Sequence, residues 1–160
     1  MNKTAPTAAT LFNYDTDRDG FPGRLIQKGS SGVGETDISK YQNWISDPLA
    51  SPLAAGGTVN VTFFSAVKDF GQNKAGSVTV FLRDANGTSA TNICSGTLTL
   101  SNWQGGSSTW VSRTVSFNCG SYTIPAGRRL EVKLVVGAAA GDDMWFAYDT
   151  TSYPSEVRLP

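Results

Sequence analysis

Alternation between apolar and polar residues is the feature that most restricts the fold of this chain. Apolar side chains recur at even spacing in four segments, residues 59–63, 78–82, 98–100 and 111–117. A β-strand turns successive side chains to opposite faces, so this period predicts strands with one buried and one wet face. No segment keeps a helical period, because glycines interrupt the best helical candidate, residues 136–141.

Shorter segments of the same kind raise the prediction to about ten short strands. They are residues 10–14, 24–28, 40–46, 128–136, 144–148 and 156–159. Turn signals separate several of them, including Asn86-Gly87 and the segment from Ile124 to Gly127. In 128–136 we expect the leucines and Val132 to face inward, and we expect these three charged residues to face out: Arg129, Glu131 and Lys133. Short strands at regular spacing predict an all-β sandwich or barrel.

Size and charge restrict the class of protein. A chain of 160 residues fits one domain, which we place at 9–160 after a linker or trimmed N-terminus at 1–8. Basic and acidic residues are equal at 13 each, so no net charge directs the chain toward nucleic acid. No apolar run approaches the length of a membrane span, so we expect no membrane insertion.

The segment from Tyr14 to Gly23 resembles the first half of a calcium-binding loop. Three carboxylates lie at every second position before a glycine: Asp15, Asp17 and Asp19. They match the hard oxygen ligands at positions 1, 3 and 5 of a calcium-binding loop. Position 12 is Ile26, where an EF-hand needs a bidentate glutamate, so any remaining ligands must come from elsewhere in the fold. The alternative is a solvated acidic turn.

A second acidic group lies near the other end of the chain, at Asp142, Asp143 and Asp149. Terminal strands of a sandwich are often neighbours, so the two acidic groups can meet. We therefore predict that one Ca²⁺ is held by the three aspartates of the first loop together with Asp143 or Asp149. The alternative is that the later acids only form and cap polar turns.

Two cysteines, Cys94 and Cys119, are too few for a tetrahedral zinc site. They form either one disulfide or two reduced thiols. Low charge, 17 glycines and few methionines favour a secreted chain, so we predict the disulfide.

The sequence contains no histidine, which removes the usual activation of serine and cysteine nucleophiles and most catalytic zinc sites. No phosphate-binding loop or dinucleotide fingerprint is present. We predict that the chain is not an enzyme. A small glycoside hydrolase or lyase that uses paired carboxylates is the catalytic alternative.

Two tryptophans are candidate ligand-binding residues. Trp110 alternates with the apolar positions of its strand, and Trp103 lies in a Gly/Ser-rich segment, so we expect both to be exposed. An exposed aromatic ring matches the apolar C–H face of a sugar. The alternative is packing at a sheet edge, and Trp44 and Trp145 are expected in the core.

Three segments together resemble a known class of domain: Asp15 to Gly23, Gly127-Arg128-Arg129-Leu130, and Trp145 to Asp149 with Tyr153-Pro154-Ser155. They are similar to β-sandwich accessory domains of bacterial extracellular proteins, and in outline to jelly-roll carbohydrate-binding modules that carry structural calcium. The resemblance implies a two-sheet antiparallel sandwich of jelly-roll type and a calcium ion.

The predicted function is a non-catalytic, secreted, calcium-stabilised accessory module within a larger extracellular protein. Its predicted partner is a polysaccharide or another cell-surface polymer. The alternative is a structural, adhesive or assembly domain that binds no small ligand.

Overall fold

The computed structural model describes residues 23–69, 72–103, 110–147, 153 and 155–160. Short 3-10 helices occupy Gly32–Gly34 and Ile38–Lys40, and all other regular structure in these ranges is β-strand. The strands are β1 (Gly23–Ile26), β2 (Tyr41–Ile45), β3 (Leu53–Ala54), β4 (Thr58–Val67), β5 (Lys74–Asn86), β6 (Ser89–Trp103), β7 (Val111–Asn118), β8 (Thr123–Ile124), β9 (Arg129–Val136), β10 (Met144–Ala147) and β11 (Glu156–Arg158). Within the described ranges, no helix is long and apolar enough to cross a membrane.

Strand pairing follows one nested antiparallel ribbon. β5 pairs with β6, and outward from this hairpin β4 pairs with β7, β3 with β8, β2 with β9 and β1 with β10. Folding the ribbon over on itself then brings β9 onto β5 and β10 onto β4. This wrapping is the jelly-roll arrangement of an antiparallel double sheet. The predicted two-sheet antiparallel sandwich of jelly-roll type is confirmed.

The wrapped ribbon forms two main sheets. Sheet A has the order β1-β10-β4-β7, and β11 continues the row of β10 along the same edge of β4. Sheet B has the order β2-β9-β5-β6, and β3 and β8 form a separate two-stranded sheet. The strand 10–14 and the linker 1–8 predicted from the sequence lie outside the described residues.

The alternating residues build the core between the sheets. The buried cluster takes Val59, Val61 and Phe63 from β4 and the matching inward residues of the other sheet: Val78, Val80, Leu82, Val132, Leu134 and Val136. These are the positions that the sequence period assigned to the buried face. Two strands are longer than predicted, since β5 has 13 residues and β6 has 15.

A disulfide joins the two sheets at the edge formed by β6 and β7. Cys94 and Cys119 are bonded, and their Cα atoms lie 5.1 Å apart. Beside them, Gly96 of β6 lies against the ring of Phe117, which leaves no room for a side chain. The predicted disulfide is confirmed, and it closes one edge of the sandwich.

The outer face of sheet B is not the solvated face that the charged residues of β9 predicted. Glu131 is 0% exposed and Lys133 is 4% exposed. The alternation of β9 correctly predicted that both side chains point away from the core, but this outer face is covered. The Glu131 carboxylate accepts hydrogen bonds from Arg83 at 2.9 and 3.0 Å and from Asn43 at 3.0 Å. These bonds compensate the desolvation of the charge.

Residues 27–40 contribute to this burial because they reach over the same face. Lys133 Nζ donates to the carbonyl oxygens of Val33 and Glu35, and it lies 4.4 Å from the ring centroid of Tyr41. Desolvation lowers the pKa of the Lys133 ammonium. This polar segment is therefore fixed to sheet B by a buried lysine.

Candidate functional site

Trp103 lies in the core and not in an exposed loop. It is the last residue of β6 and is 1% exposed. Its indole nitrogen donates to the Gly76 carbonyl oxygen at 2.9 Å, and the Arg113 guanidinium lies 5.1 Å from the ring centroid. The expected exposure was wrong because β6 is longer than the sequence indicated and Arg113 covers the ring.

Trp110 lies immediately before β7 and is 8% exposed, so its expected exposure was also wrong. The side chain is in the same buried cluster as Ala66 and Ala147, the outward residues of sheet A that neighbour it. Tyr153, from the connection between β10 and β11, packs on it with ring centroids 5.9 Å apart. The alternation along the strand correctly indicated that Trp110 points outward, but it could not indicate that Tyr153 covers the ring.

Four aromatic residues form a cluster on this outer face of sheet A, which we call the aromatic patch: Phe64, Trp110, Trp145 and Tyr153. Tyr153 contacts Phe64 with ring centroids 5.4 Å apart. Three of the four side chains, those of Phe64, Trp145 and Tyr153, are only partly buried. The patch therefore presents aromatic surface to solvent above a floor of small residues.

The outward position of Trp145 follows from strand alternation, and the expectation that this residue lies in the core was wrong. Met144 and Phe146 point inward from β10, so Trp145 between them must point outward. It stands opposite Ala66 of β4, a small residue that leaves space for the indole. The sequence signal for the outward position of Trp145 was the alternation of side chains along β10, which a four-residue strand displays only weakly.

Rows of polar side chains continue the outer face of sheet A beside the patch. Two hydrogen-bonded pairs cross from β4 to β7, and one exposed ion pair lies on β11: Thr62–Thr114 at 3.0 Å, Asn60–Ser116 at 2.6 Å and Glu156–Arg158 at 2.9 Å. The ion pair has no net charge. The whole face is thus aromatic at one end and rich in neutral hydrogen-bonding groups at the other.

Only one predicted calcium ligand, Asp143, lies among the described residues; Asp15, Asp17, Asp19 and Asp149 lie outside them. Its Oδ1 accepts the backbone N–H of Lys28 at 3.0 Å, and its Oδ2 lies 3.4 Å from Lys68 Nζ. Asp142 accepts the N–H of Asp69 at 2.9 Å. Both carboxylates therefore fix loops, and nowhere in the described ranges do three or more metal-ligating side chains gather.

Strand register places Asp143 at one end of the β1–β10 pair. Asp143 precedes Met144, which pairs with Ile26, whereas Gly23 and Ala147 pair at the opposite end. The four residues of each strand span about 13 Å, whereas calcium ligands lie within about 2.6 Å of the ion.

Two buried carboxylates on sheet B are each held by an arginine. Glu131 is bound by Arg83, and Asp84 accepts hydrogen bonds from Arg128 and Tyr122, each at 2.9 Å. The bond to Asp84 raises the pKa of Tyr122. These contacts give both carboxylates a structural role in the packing of sheet B.

Comparison with family models finds no match for this sequence, and comparison with curated proteins finds none either. Solved structures do match in fold. An α-amino acid ester hydrolase, an aminopeptidase from a marine sediment Thaumarchaeota archaeon and a CocE/NonD family hydrolase from Staphylococcus aureus each superimpose with a TM-score of 0.62. Their sequence identities are 14%, 11% and 11%, so the likeness concerns the fold alone.

The matches cover most of this chain but a small part of the other chains. They span 77%, 78% and 86% of this chain, and 26%, 26% and 32% of the respective hydrolase chains. This chain is therefore similar in fold to a segment of about a quarter to a third of each of these larger hydrolases.

Proposed function

We propose that this chain is a non-catalytic accessory module of a larger secreted protein, and that it binds carbohydrate through the outer face of sheet A. The observation that carries the proposal is the aromatic patch beside the polar rows. The partly buried rings of Trp145, Tyr153 and Phe64 offer surface for the apolar faces of sugar rings. The adjacent hydroxyl and amide groups suit sugar hydroxyls.

The proposal moves the predicted contact from Trp103 and Trp110 to other residues. Trp103 is enclosed in the core, and Trp110 supports the patch from below through its contact with Tyr153. Ligand contact then depends mainly on Trp145 and Tyr153. Trp110 acts as a positioning residue.

The test is retention of the purified chain on insoluble cellulose, chitin and xylan, with Trp145→Ala and Tyr153→Ala compared with the wild type. We expect each variant to lose about tenfold in affinity for the retained polymer, since one aromatic contact contributes on the order of 1 kcal/mol. Ile38→Ala is the matched control, because Ile38 is an exposed apolar residue of the segment that covers sheet B. Circular dichroism melts verify that each variant is folded.

Three outcomes contradict the proposal. The first is a wild-type chain that none of the polymers retains. The second is unchanged retention of Trp145→Ala and Tyr153→Ala. The third is equal loss of retention in Ile38→Ala, which would mean that the contact does not involve the aromatic patch.

The second candidate is a structural role in which the same face packs against a neighbouring domain. The comparisons favour it, because three hydrolases place a similar fold within a longer chain. A domain interface would bury the aromatic patch in the full-length protein. Trp145→Ala would then weaken association with the neighbouring domain and leave polymer retention unchanged.

Calcium is part of the proposal, and the register of β1 and β10 supports a choice among its ligands. Asp149 follows Ala147 by two residues, and the acidic loop ends immediately before the partner residue Gly23. We therefore assign Asp149, and not Asp143, as the ligand that would complete the set of Asp15, Asp17 and Asp19. A bound ion there would tie the start of β1 to the end of β10.

A further inference from the structure

The last strand of sheet B, β6, has one edge that pairs with no described strand. It pairs with β5 on one side only, and it ends the order β2-β9-β5-β6. With 15 residues it is also the longest strand in the described ranges. A free edge presents unpaired backbone N–H and C=O groups, which are a template for pairing with a further strand.

The sequence of β6 lacks the residues by which proteins usually protect such an edge. Charged side chains and prolines oppose edge pairing, and residues 89–103 contain neither. The other outer strands of the two main sheets are shorter. β1 has four residues and includes Arg24, β2 has five, β7 has eight and includes Arg113, and β11 has three. Among the described strands, β6 is therefore the long and uncharged edge.

The pairing of β6 with β5 contains a regular central stretch. Register shifts interrupt this pairing between Leu82 and Arg83 of β5 and between Lys74 and Gly76. Between these two points, residues 94–100 of β6 pair one to one with residues 82–76 of β5. Bulges bend and twist a strand, so a stretch without them keeps its outer edge suitable for a second ladder of hydrogen bonds.

The side chains of this stretch suit a neighbouring strand of the same sequence. Ser95, Thr97 and Thr99 are exposed on the outer face of sheet B. On the inner face, Leu98 and Leu100 pack against the core but remain partly exposed. A matching strand needs small hydroxyl residues on one face and apolar residues on the other, which is the pattern of β6 itself.

Charge also favours a second copy of the chain as the partner. Basic and acidic residues are equal at 13 each, so two copies carry no net charge with which to repel each other. Because the stretch itself has no charged residue, its antiparallel pairing with an identical strand brings no like charges together. Threonine pairs already join strands of this sheet, as Thr79 and Thr97 do with hydroxyl oxygens 2.8 Å apart.

We propose that two copies of this chain form a dimer by antiparallel pairing of their β6 edges, centred on Thr97. The two four-stranded sheets then become one continuous sheet. A two-fold axis at this position places Thr97 opposite the same residue of the second copy, and it places Ser95 opposite Thr99. An extended peptide of another protein is the other occupant that such an edge could take.

The test places charges at the two-fold axis and measures mass by light scattering across a dilution series. The wild type should reach twice the chain mass of 17.0 kDa. Thr97→Lys and Thr97→Glu should each raise the dissociation constant about tenfold or more, because like charges then lie opposite each other. An equimolar mixture of the two variants should restore the dimer, since opposite charges meet.

Thr36→Lys and Thr36→Glu are the matched controls. Thr36 is also exposed, but it lies in the segment 27–40 that is fixed to β9 and not at the β6 edge. Both control variants should keep the wild-type dissociation constant, and circular dichroism melts verify that every variant is folded. A dimer that Thr97→Lys leaves intact would overturn the proposal, and so would a mixture of the Thr97 variants that stays monomeric.

Hydrogen exchange of the wild type gives a measurement that needs no substitution. The backbone amides of residues 94–100 that point away from β5 should exchange more slowly at high protein concentration than at low concentration, because the second copy protects them. A wild type that stays monomeric up to about 1 mM, a concentration that populates even a weak contact, would exclude the second copy as the partner of this edge.

Discussion

Glu35 fixes the polar segment over sheet B through four hydrogen bonds to its carboxylate. Oε2 accepts from the Ser31 N–H at 2.8 Å and from its hydroxyl at 3.2 Å; Oε1 accepts from the N–H groups of Thr36 and Asp37 at 3.0 and 2.9 Å. The backbone bond from Ser31, followed by that from Asp37, lowers the pKa of Glu35 from 4.5 to about 2. This carboxylate therefore stabilises the fold only while it is ionised.

The sign of the pH dependence follows from the lowered pKa of Glu35. The stabilisation is complete above about pH 4.5 and disappears as pH falls toward 2. We expect Glu35→Gln to be less stable than the wild type at pH 7, since an amide N–H₂ would face N–H donors. The two proteins should converge near pH 2. Urea unfolding at pH 7, 4.5, 3 and 2 measures this.

The control for this prediction is Glu156→Gln, which changes an exposed glutamate paired with Arg158. It should follow the wild-type pH profile. Parallel curves for Glu35→Gln and the wild type across the acid range would mean that the carboxylate has no special role.

At the scale of elements, β6 and β7 approach closely enough that one glycine decides their contact. A Cβ atom on Gly96 would lie 2.5 Å from Cδ1 of Phe117, and Phe117 is part of the core. We expect Gly96→Ala to destabilise the chain by about 1–3 kcal/mol, because the ring must shift within a packed interior. Denaturant unfolding measures the change.

Gly34→Ala is the matched control for Gly96→Ala. No atom lies within 4 Å of the position that its Cβ would take, so its effect should stay within about 0.5 kcal/mol. Equal loss of stability in the two variants would mean that the contact with Phe117 is not the cause of the change at Gly96.

For the whole molecule, the proposed calcium ion should contribute to global stability. A ligand that binds only the folded chain at about 100 times its Kd adds about 2.7 kcal/mol. For a chain of this size we expect a chelator to lower Tm by about 5–10 °C. Asp17→Asn should abolish this calcium-dependent shift, and so should Asp149→Asn.

Asp143→Asn is the control for the calcium melts, since the Asp143 carboxylate already accepts the Lys28 N–H and lies near Lys68. Its calcium-dependent shift should equal that of the wild type. Identical melting curves of the wild type with and without chelator would remove calcium from the proposed function.

The sequence by itself determined most of the strands and the faces of the side chains that alternate regularly along them. Alternation placed Val59, Val80 and Leu134 in the core, and it placed Glu131 and Trp110 on outer faces. The two cysteines were predicted to pair, and they do. These features depend on the period of the backbone and on local chemistry, which the order of residues contains directly.

Only the tertiary structure decided what covers each face. Glu131 is buried because Arg83 and Asn43 bind it, and Trp110 because Tyr153 packs on it. The aromatic patch likewise joins residues of β4 and β10 to Trp110, beside β7, and to Tyr153. The nested pairing of the jelly roll creates these neighbours over separations of tens of residues. Burial is a property of such neighbours, and no local pattern specifies them.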